Sequence, residues 1–346
     1  MKYKIIISFI VLIILLCMLV KPKSPNLVGV PSIVLKGEKI ITMHIGDKFI
    51  EPGYSASDSL DGDITDKVVI SSDIDYTKQG VYKVIYKVKN SSGISAQDHR
   101  FLKILDNPHY KDEYDNIDNT VRGWWAKNNK DKKRPTGGAD INELKKYNAY
   151  YIGPDEKIIY LTFDEGSLET YVKEMVDILD DNNFKATFFL CYTFMMTNKD
   201  LIKKMVDSGH LIANHTVNHK NMPALATSGT FNEYLAEIKQ VEDSYFEITG
   251  RKMEKVYRDP MGEWSYRDLQ IMKDLGYKTY FYSSYYMDFG EDVSKEYALK
   301  ELMARYHNGA IYLLHPKNKG NYLALDSFIK KMKALGYRFD LVKNIP

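Results

Sequence analysis

Two imidazoles stand four residues apart in His215-Thr-Val-Asn-His219, near enough to share one metal ion. Two adjacent carboxylates, Asp164 and Glu165, close an apolar run elsewhere in the chain. A carboxylate from another strand end beside two histidines gives three protein ligands and an open position for water, the arrangement of catalytic zinc. Such a metal polarises a carbonyl and lowers the pKa of its water. Of two neighbouring carboxylates, one can bind metal while the other accepts the water's proton. A histidine on the opposite side can protonate a leaving nitrogen. These are the parts needed to hydrolyse an amide.

The elements that must bring these residues together begin at Lys157. From there strands and helices alternate, with strand candidates at Ile158–Phe163, Ala186–Tyr192, His210–Asn214, Lys255–Tyr257, Thr279–Ser283 and Ala310–Leu314. Ser265 is placed to cap a helix that ends at Gly276. Met272-Lys-Asp-Leu-Gly-Tyr-Lys278 is echoed by Met332-Lys-Ala-Leu-Gly-Tyr-Arg338, each a helix end feeding a strand. A βα repeat of this kind predicts an α/β domain with a parallel sheet or barrel. Barrel enzymes gather chemistry at the C-terminal ends of their strands. Here Asp164 and Glu165 end the first strand, and His215 and His219 follow the third. Arg258 and Asp259 end the fourth, Asp288 follows the fifth, and His315 ends the sixth. An acid after a strand is ordinarily a helix cap and a lone histidine is ordinarily structural, as His210 is read here. A whole set on one rim is harder to dismiss.

Residues 158–342 resemble the polysaccharide deacetylases, the NodB-homology carbohydrate esterases. Leu161-Thr-Phe-Asp-Glu-Gly166, His215-Thr-Val-Asn-His219, Arg258-Asp-Pro-Met-Gly262, Asp288-Phe289 and Leu313-Leu-His315 follow the order of that family's five motifs. Gly123-Trp-Trp-Ala-Lys127, Lys145-Lys-Tyr-Asn-Ala-Tyr-Tyr-Ile-Gly153, Gly262-Glu-Trp-Ser265 and Ala334-Leu-Gly-Tyr-Arg-Phe339 are similar to the branch that deacetylates N-acetylmuramic acid to form the δ-lactam of spore cortex. The resemblance implies a deformed (β/α) barrel that removes N-acetyl groups from peptidoglycan and releases acetate. It makes Asp164 the general base, oriented by Arg258, and His315 the general acid, tuned by Asp288. It makes His215, His219 and Glu165 the ligands of one divalent ion, expected to be zinc. Backbone N–H groups near Met261 would help hold the oxyanion. Five positions depart from the pattern, one of them Pro316, which follows the last histidine where a small hydroxyl residue is usual. Glu165 replaces an Asp (Asn in the muramic-acid branch), Asp259 a proline, Met261 an arginine or tyrosine, and Phe289 a tryptophan. Two other functions fit the same residues: a wall-binding protein that has lost catalysis, and an O-deacetylase of wall polysaccharide.

Residues 28–106 predict an all-β sandwich. Tyr82, Val84, Tyr86 and Val88 alternate onto one face, and Gly- and Asp-rich turns recur along the segment. Asp58-Ser-Leu-Asp-Gly-Asp-Ile-Thr65 with Gly80-Val-Tyr-Lys-Val-Ile-Tyr86 resembles bacterial immunoglobulin-like domains. Asp61 and Asp63 are read as turn residues rather than calcium ligands. Residues 107–154 are polar but contain Trp124 and Trp125, which predicts a linker docked on the catalytic domain at 155–346 with both indoles buried. At the N-terminus, Lys2 and Lys4 precede the apolar run Ile5–Val20, and Lys21 and Lys23 follow it. As a helix the run spans about 24 Å, short of a ~30 Å hydrocarbon core by a margin that lysine snorkelling can cover. No small-residue cleavage site follows, so residues 1–23 are expected to be a retained membrane anchor with both domains outside. Lys+Arg 48 against Asp+Glu 46 lacks the basic excess of a nucleic-acid binder. The two cysteines, Cys17 and Cys191, fall in different regions, and no disulfide is expected.

Overall fold

The computed structural model describes residues 29–45, 47–105, 109–127, 131–166 and 170–346. Two units separate at Asn107/Pro108, each with a core of its own. Ile5–Val20 lies outside the described residues, and among those described no helix is long and apolar enough to cross a membrane.

In the first unit, strands Pro31–Leu35, Tyr54–Asp58 and Gly62–Asp63 form one sheet. Ile40–His44, Val69–Ser72, Gly80–Lys89 and Ser95–Leu105 form the other. Alternation decides the packing: Val84, Tyr86 and Val88 are buried, while Val81, Lys87 and Lys89 face out. The core also encloses Arg100, whose guanidinium donates to the carbonyls of Lys36, Glu38 and Gly53 and to Glu51 at 3.2 Å. A buried charge needs such complete pairing to be tolerated. Asp58 and Asp61 spend their carboxylates on backbone N–H groups and on Asn90 and Ser91, as turn residues do.

The second unit is built on parallel strands β1 (Ala149–Tyr150), β2 (Ile158–Glu165), β3 (Thr187–Leu190), β4 (Leu211–Asn214), β5 (Val256–Tyr257), β6 (Lys278–Tyr280), β7 (Ala310–Leu314) and β8 (Arg338–Phe339). Their order is β7-β2-β3-β4-β5-β6-β1, with β8 also beside β2. Single bridges Ser284–Tyr312 and Ile152–Ala310 link the far side back to β7, so the ring closes irregularly as a deformed barrel. Strands β2, β3 and β4 are buried almost throughout, as a sheet covered on both faces requires. All six foreseen strands are present within a few residues. The short β1 and β8 were not foreseen, because two residues carry no readable periodicity. The helix Tyr266–Asp274 is capped by Ser265 Oγ, which accepts the Asp268 N–H at 3.0 Å. Past its end, Gly276 turns the chain at φ +86.

Residues 109–127 and 131–154 belong to this unit. Arg122–Gly123 pairs antiparallel with Glu263–Trp264. Trp124 is 6% exposed, stacks on Phe281 at 4.2 Å, and donates its indole N–H to the Tyr282 carbonyl at 2.9 Å. Its ring lies so close to Gly137 that a Cβ there would sit 2.6 Å from it. Trp125 corrects the expectation that both indoles are buried: it is 51% exposed. Neighbours in extended chain point to opposite sides, so only one of the pair can face the barrel. Trp124→Ala should lower stability by about 3–5 kcal/mol, whereas Trp125→Ala should stay within about 0.5 kcal/mol of the parent. Urea unfolding of the two variants checks the contrast, and equal losses would contradict it.

Candidate active site

Strand register places the chemistry. Phe163 pairs with Leu314, so Asp164 and His315 emerge side by side beyond β2 and β7. Asn214 pairs with Tyr257, so His215 and Arg258 emerge together beyond β4 and β5. The four residues converge with His219, Met261, Phe289 and Lys317 on one cleft of about 790 Å³.

Arg258 is the buried organiser. It donates to Asp164 Oδ1 at 2.6 Å, to Thr162 Oγ1 at 2.8 Å, and to the carbonyls of Tyr280 and Phe281 at 2.8 and 3.2 Å. With its guanidinium so fixed, the carboxylate it holds has one orientation. Thr162 was not foreseen as part of the site. Its hydroxyl bridges Arg258 to the Tyr312 carbonyl from the inner face of β2.

His215 Nδ1 lies 2.9 Å from the Arg258 carbonyl. That contact requires a proton on Nδ1 and leaves the Nε2 lone pair free. Nε2 sits 3.8 Å from Asp164 Oδ2, and the His219 ring is centred 5.0 Å away. Burial holds His215 down to about 4, with Asp164 acting against it, so the ring is neutral near pH 7. His219, more exposed, is lowered chiefly by desolvation. Two neutral imidazoles, one with its tautomer fixed by a backbone acceptor, suit a divalent cation. Thr216, His219 and Met261 have φ of 68, 56 and 60, and left-handed strain of this kind concentrates at functional loops.

Glu165 is the residue expected as the third ligand. It lines the cleft, but its Oε2 accepts the Thr170 hydroxyl, and among the described residues no three His, Cys, Asp or Glu side chains converge as a metal set. Successive side chains on a strand leave in different directions, and Asp164 is the one held by Arg258. Asp164 Oδ2 lies 3.8 Å from His215 Nε2, and Glu165 Oε2 is engaged by the Thr170 hydroxyl. His215→Ala should therefore lose bound divalent metal, while Glu165→Ala should keep most of it. Elemental analysis of the two purified variants decides this, and equal loss would restore Glu165 as a ligand.

Across the cleft, His315 Nδ1 meets Asp288 Oδ1 at 2.7 Å, and the His315 N–H donates to Asp288 Oδ2 at 2.8 Å. Asp288 is 1% exposed and also accepts from Asn321 at 2.6 Å. Desolvation presses the His315 pKa down. The hydrogen bond and charge of Asp288, helped by Asp164, outweigh it, and the net shift is upward. Asn321 was missed in the sequence, although a carboxamide on the buried face of the helix Lys319–Ala334 is a readable signal.

Asp259 acquires a role that a proline could not fill. It is fully buried, accepts the Tyr257 hydroxyl at 2.8 Å, and faces Asp268, which accepts the Tyr234 hydroxyl at 2.6 Å. The remaining oxygen of each carboxyl has no hydrogen-bond partner among the described residues. Burial and mutual repulsion raise the Asp259 pKa, and burial raises that of Asp268. Each carboxyl therefore keeps its proton to higher pH than a free carboxylic acid would. A raised folded-state pKa means the folded chain holds more protons than the unfolded one above about pH 4, so this contribution declines as pH rises. Asp259→Asn should flatten the decline, by about 1.4 kcal/mol for each pK unit of elevation removed. Melting temperatures of both proteins from pH 5 to 8 test it; parallel curves would refute the raised pKa.

The comparisons with known proteins follow this geometry. The bacterial surface protein Ig-like domain family matches residues 33–104, and the polysaccharide deacetylase family matches residues 152–280. The peptidoglycan-N-acetylmuramic acid deacetylase PdaA of Bacillus subtilis is 34% identical over 233 residues, 66% of this chain and 87% of that protein. The structure of PdaA, a family 4 carbohydrate esterase, superposes with a TM-score of 0.62 at 33% identity, covering 66% of this chain and 98% of that one. A Bacillus anthracis protein described as a family 4 pseudoenzyme superposes with a TM-score of 0.51 at 26% identity, covering 57% of this chain and 68% of its own. With the cleft, the order of its motifs and these relatives in agreement, the chain belongs to the polysaccharide deacetylase family and carries a bacterial immunoglobulin-like domain ahead of the deacetylase domain.

Proposed function

We propose that this chain hydrolyses the N-acetyl group of peptidoglycan amino sugars, N-acetylmuramic acid in particular, and releases acetate. The observation that carries the reading is the opposed pair: Asp164 clamped by Arg258 and His315 clamped by Asp288, facing one cleft with two neutral imidazoles between them. Asp164 takes a proton from the attacking water as its oxygen bonds to the acetamide carbon. His315, protonated by virtue of Asp288, gives its proton to the sugar nitrogen as the carbon–nitrogen bond breaks. His215 and His219 would hold a divalent cation, with zinc suited to the donors, and bound there it polarises the carbonyl and acidifies water. Family membership alone leaves a catalytically silent scaffold as the rival, and the intact base and acid clamps favour an enzyme.

The substrate lies outside the cell, so residues 1–23 are proposed to anchor the chain, with 28–106 as a spacer and 155–346 facing the wall. The muramic-acid branch similarity extends the proposal to δ-lactam formation in spore cortex. Acetate release from purified peptidoglycan, with the deacetylated sugar identified by mass spectrometry, tests the activity. De-N-acetylated muramic acid is expected. Release only from glucosamine would change the substrate, only O-linked acetate the reaction, and no release would leave the scaffold reading.

A further inference from the structure

We propose that Lys317 binds a carboxylate that the substrate carries beside the reacting acetamide, and so sets the preference of this cleft for acidic over neutral amino sugars. The inference rests on the deacetylase reading above.

Besides the proposed acid His315, Arg258 and Lys317 are the cationic side chains lining the cleft among the described residues. Arg258 is buried and committed to four acceptors, so it has little left to offer a ligand. Lys317 is exposed and has no hydrogen-bond or ion-pair partner among the described residues. Other lysines on this unit's surface are ion-paired, among them Lys111, Lys204, Lys220, Lys255 and Lys343. The backbone on either side of Lys317 is nevertheless pinned. The Pro316 carbonyl accepts the Tyr171 N–H at 3.0 Å, and the Asn318 N–H donates to the His315 carbonyl at 3.2 Å. The Asn318 side chain donates to the carbonyls of Asp288 and Glu291 at 3.1 and 3.0 Å. The Lys317 stem therefore starts from a fixed point two residues from the proposed acid, and only its side chain is free to move.

The rest of the rim suits a sugar. Met261 and Phe289 are each more than half exposed, and the Phe289 ring meets the His315 ring at 6.0 Å. Apolar surface stacks on a sugar face but cannot tell muramic acid from glucosamine. Charge can. On muramic acid the lactyl ether and the acetamide occupy adjacent ring carbons, so an acetamide between Asp164 and His315 brings the lactyl group to the cleft wall. A lysine ammonium reaches about 6 Å from its Cα. The carboxylate has two possible sources. One is the lactyl group itself, free where no stem peptide is attached. The other is an acidic residue of the stem peptide, where the lactyl carboxyl has become an amide.

Kinetics of acetate release by the full-length chain on three glycans separate these sources. The glycans are peptidoglycan stripped of stem peptides by an amidase, intact peptidoglycan, and chitooligosaccharide, which carries no carboxylate. Lys317→Gln should raise KM by about 5- to 10-fold on the carboxylate-bearing glycan it serves, with the effect fading at high salt. The chitooligosaccharide KM should move less than about 2-fold. Lys317→Arg should restore most of the loss, and Lys319→Ala, outside the cleft lining, should match the parent. Loss confined to the stripped glycan identifies the lactyl carboxylate; loss confined to the intact one identifies the peptide. Equal change on all three glycans, or on none, overturns the proposal. Calorimetric binding of the same glycans to Asp164→Asn, with and without Lys317→Gln, gives a readout independent of turnover. Absence of acetate release by the parent would sink the deacetylase reading, while Lys317-independent binding would sink this one.

Discussion

Asp164→Asn should slow acetate release by about 10²- to 10⁴-fold while leaving the fold and the bound metal nearly unchanged. Asn keeps the shape of the side chain and removes its ability to take a proton. The carboxylate is held by the Arg258 guanidinium at 2.6 Å, and Arg258 keeps three other acceptors when that contact weakens. The barrel interior should therefore stay assembled, and circular dichroism and metal content should match the parent. Loss of both activity and fold would mean that Asp164 is a structural partner of Arg258 rather than the base. Activity within a few-fold of the parent would place the chemistry on another residue.

His315→Ala should cost a comparable factor, about 10²- to 10⁴-fold in kcat, and should remove the alkaline limb of the pH–rate profile. The limb belongs to His315 because an acid must be protonated to donate. Its pKa is raised above the usual histidine value by Asp288, against the opposing effect of burial. The protonated fraction near neutrality is therefore larger than an isolated imidazole would have. Removing the charge in Asp288→Asn should let the pKa fall, so the alkaline limb should move to lower pH while the activity maximum also drops. A limb that moved upward, or did not move, would contradict the pairing at 2.7 Å. Because Asn321 also donates to Asp288, Asn321→Ala should give a weaker displacement through a looser carboxylate.

Several elements of this site could be read without coordinates. The alternation of strand and helix after Lys157, the cap at Ser265 and the turn at Gly276 are local properties. They depend on side-chain period, capping chemistry and backbone freedom over a few residues. The placement of Asp164, His215, Arg258 and His315 at strand ends followed from that alternation, since parallel strands in a barrel present their C-terminal ends on one rim. The single buried indole of the Trp124–Trp125 pair was not readable in the same way. The linker's extended path sets which ring faces Phe281, and that path depends on pairing with Glu263–Trp264, far away in the chain.

What the sequence by itself determined was the set of chemical groups and the order of their arrival on the rim, because both are written in residue type and strand period. What only the tertiary structure decided was the direction in which each group points and what it meets. Glu165 follows Asp164 directly, yet Asp164 meets Arg258 while Glu165 meets the Thr170 hydroxyl, since adjacent side chains on a strand diverge. Asp259, an oddity beside Arg258 in the linear chain, becomes half of a buried acid pair because the helix Tyr266–Asp274 carries Asp268 to it. Lys317, one of many lysines in the composition, lines the cleft without a partner among the described residues, on a stretch that β7 and the helix Lys319–Ala334 fix on either side. Such partnerships join residues distant in sequence. They are set by the packing of whole elements, which no local pattern records.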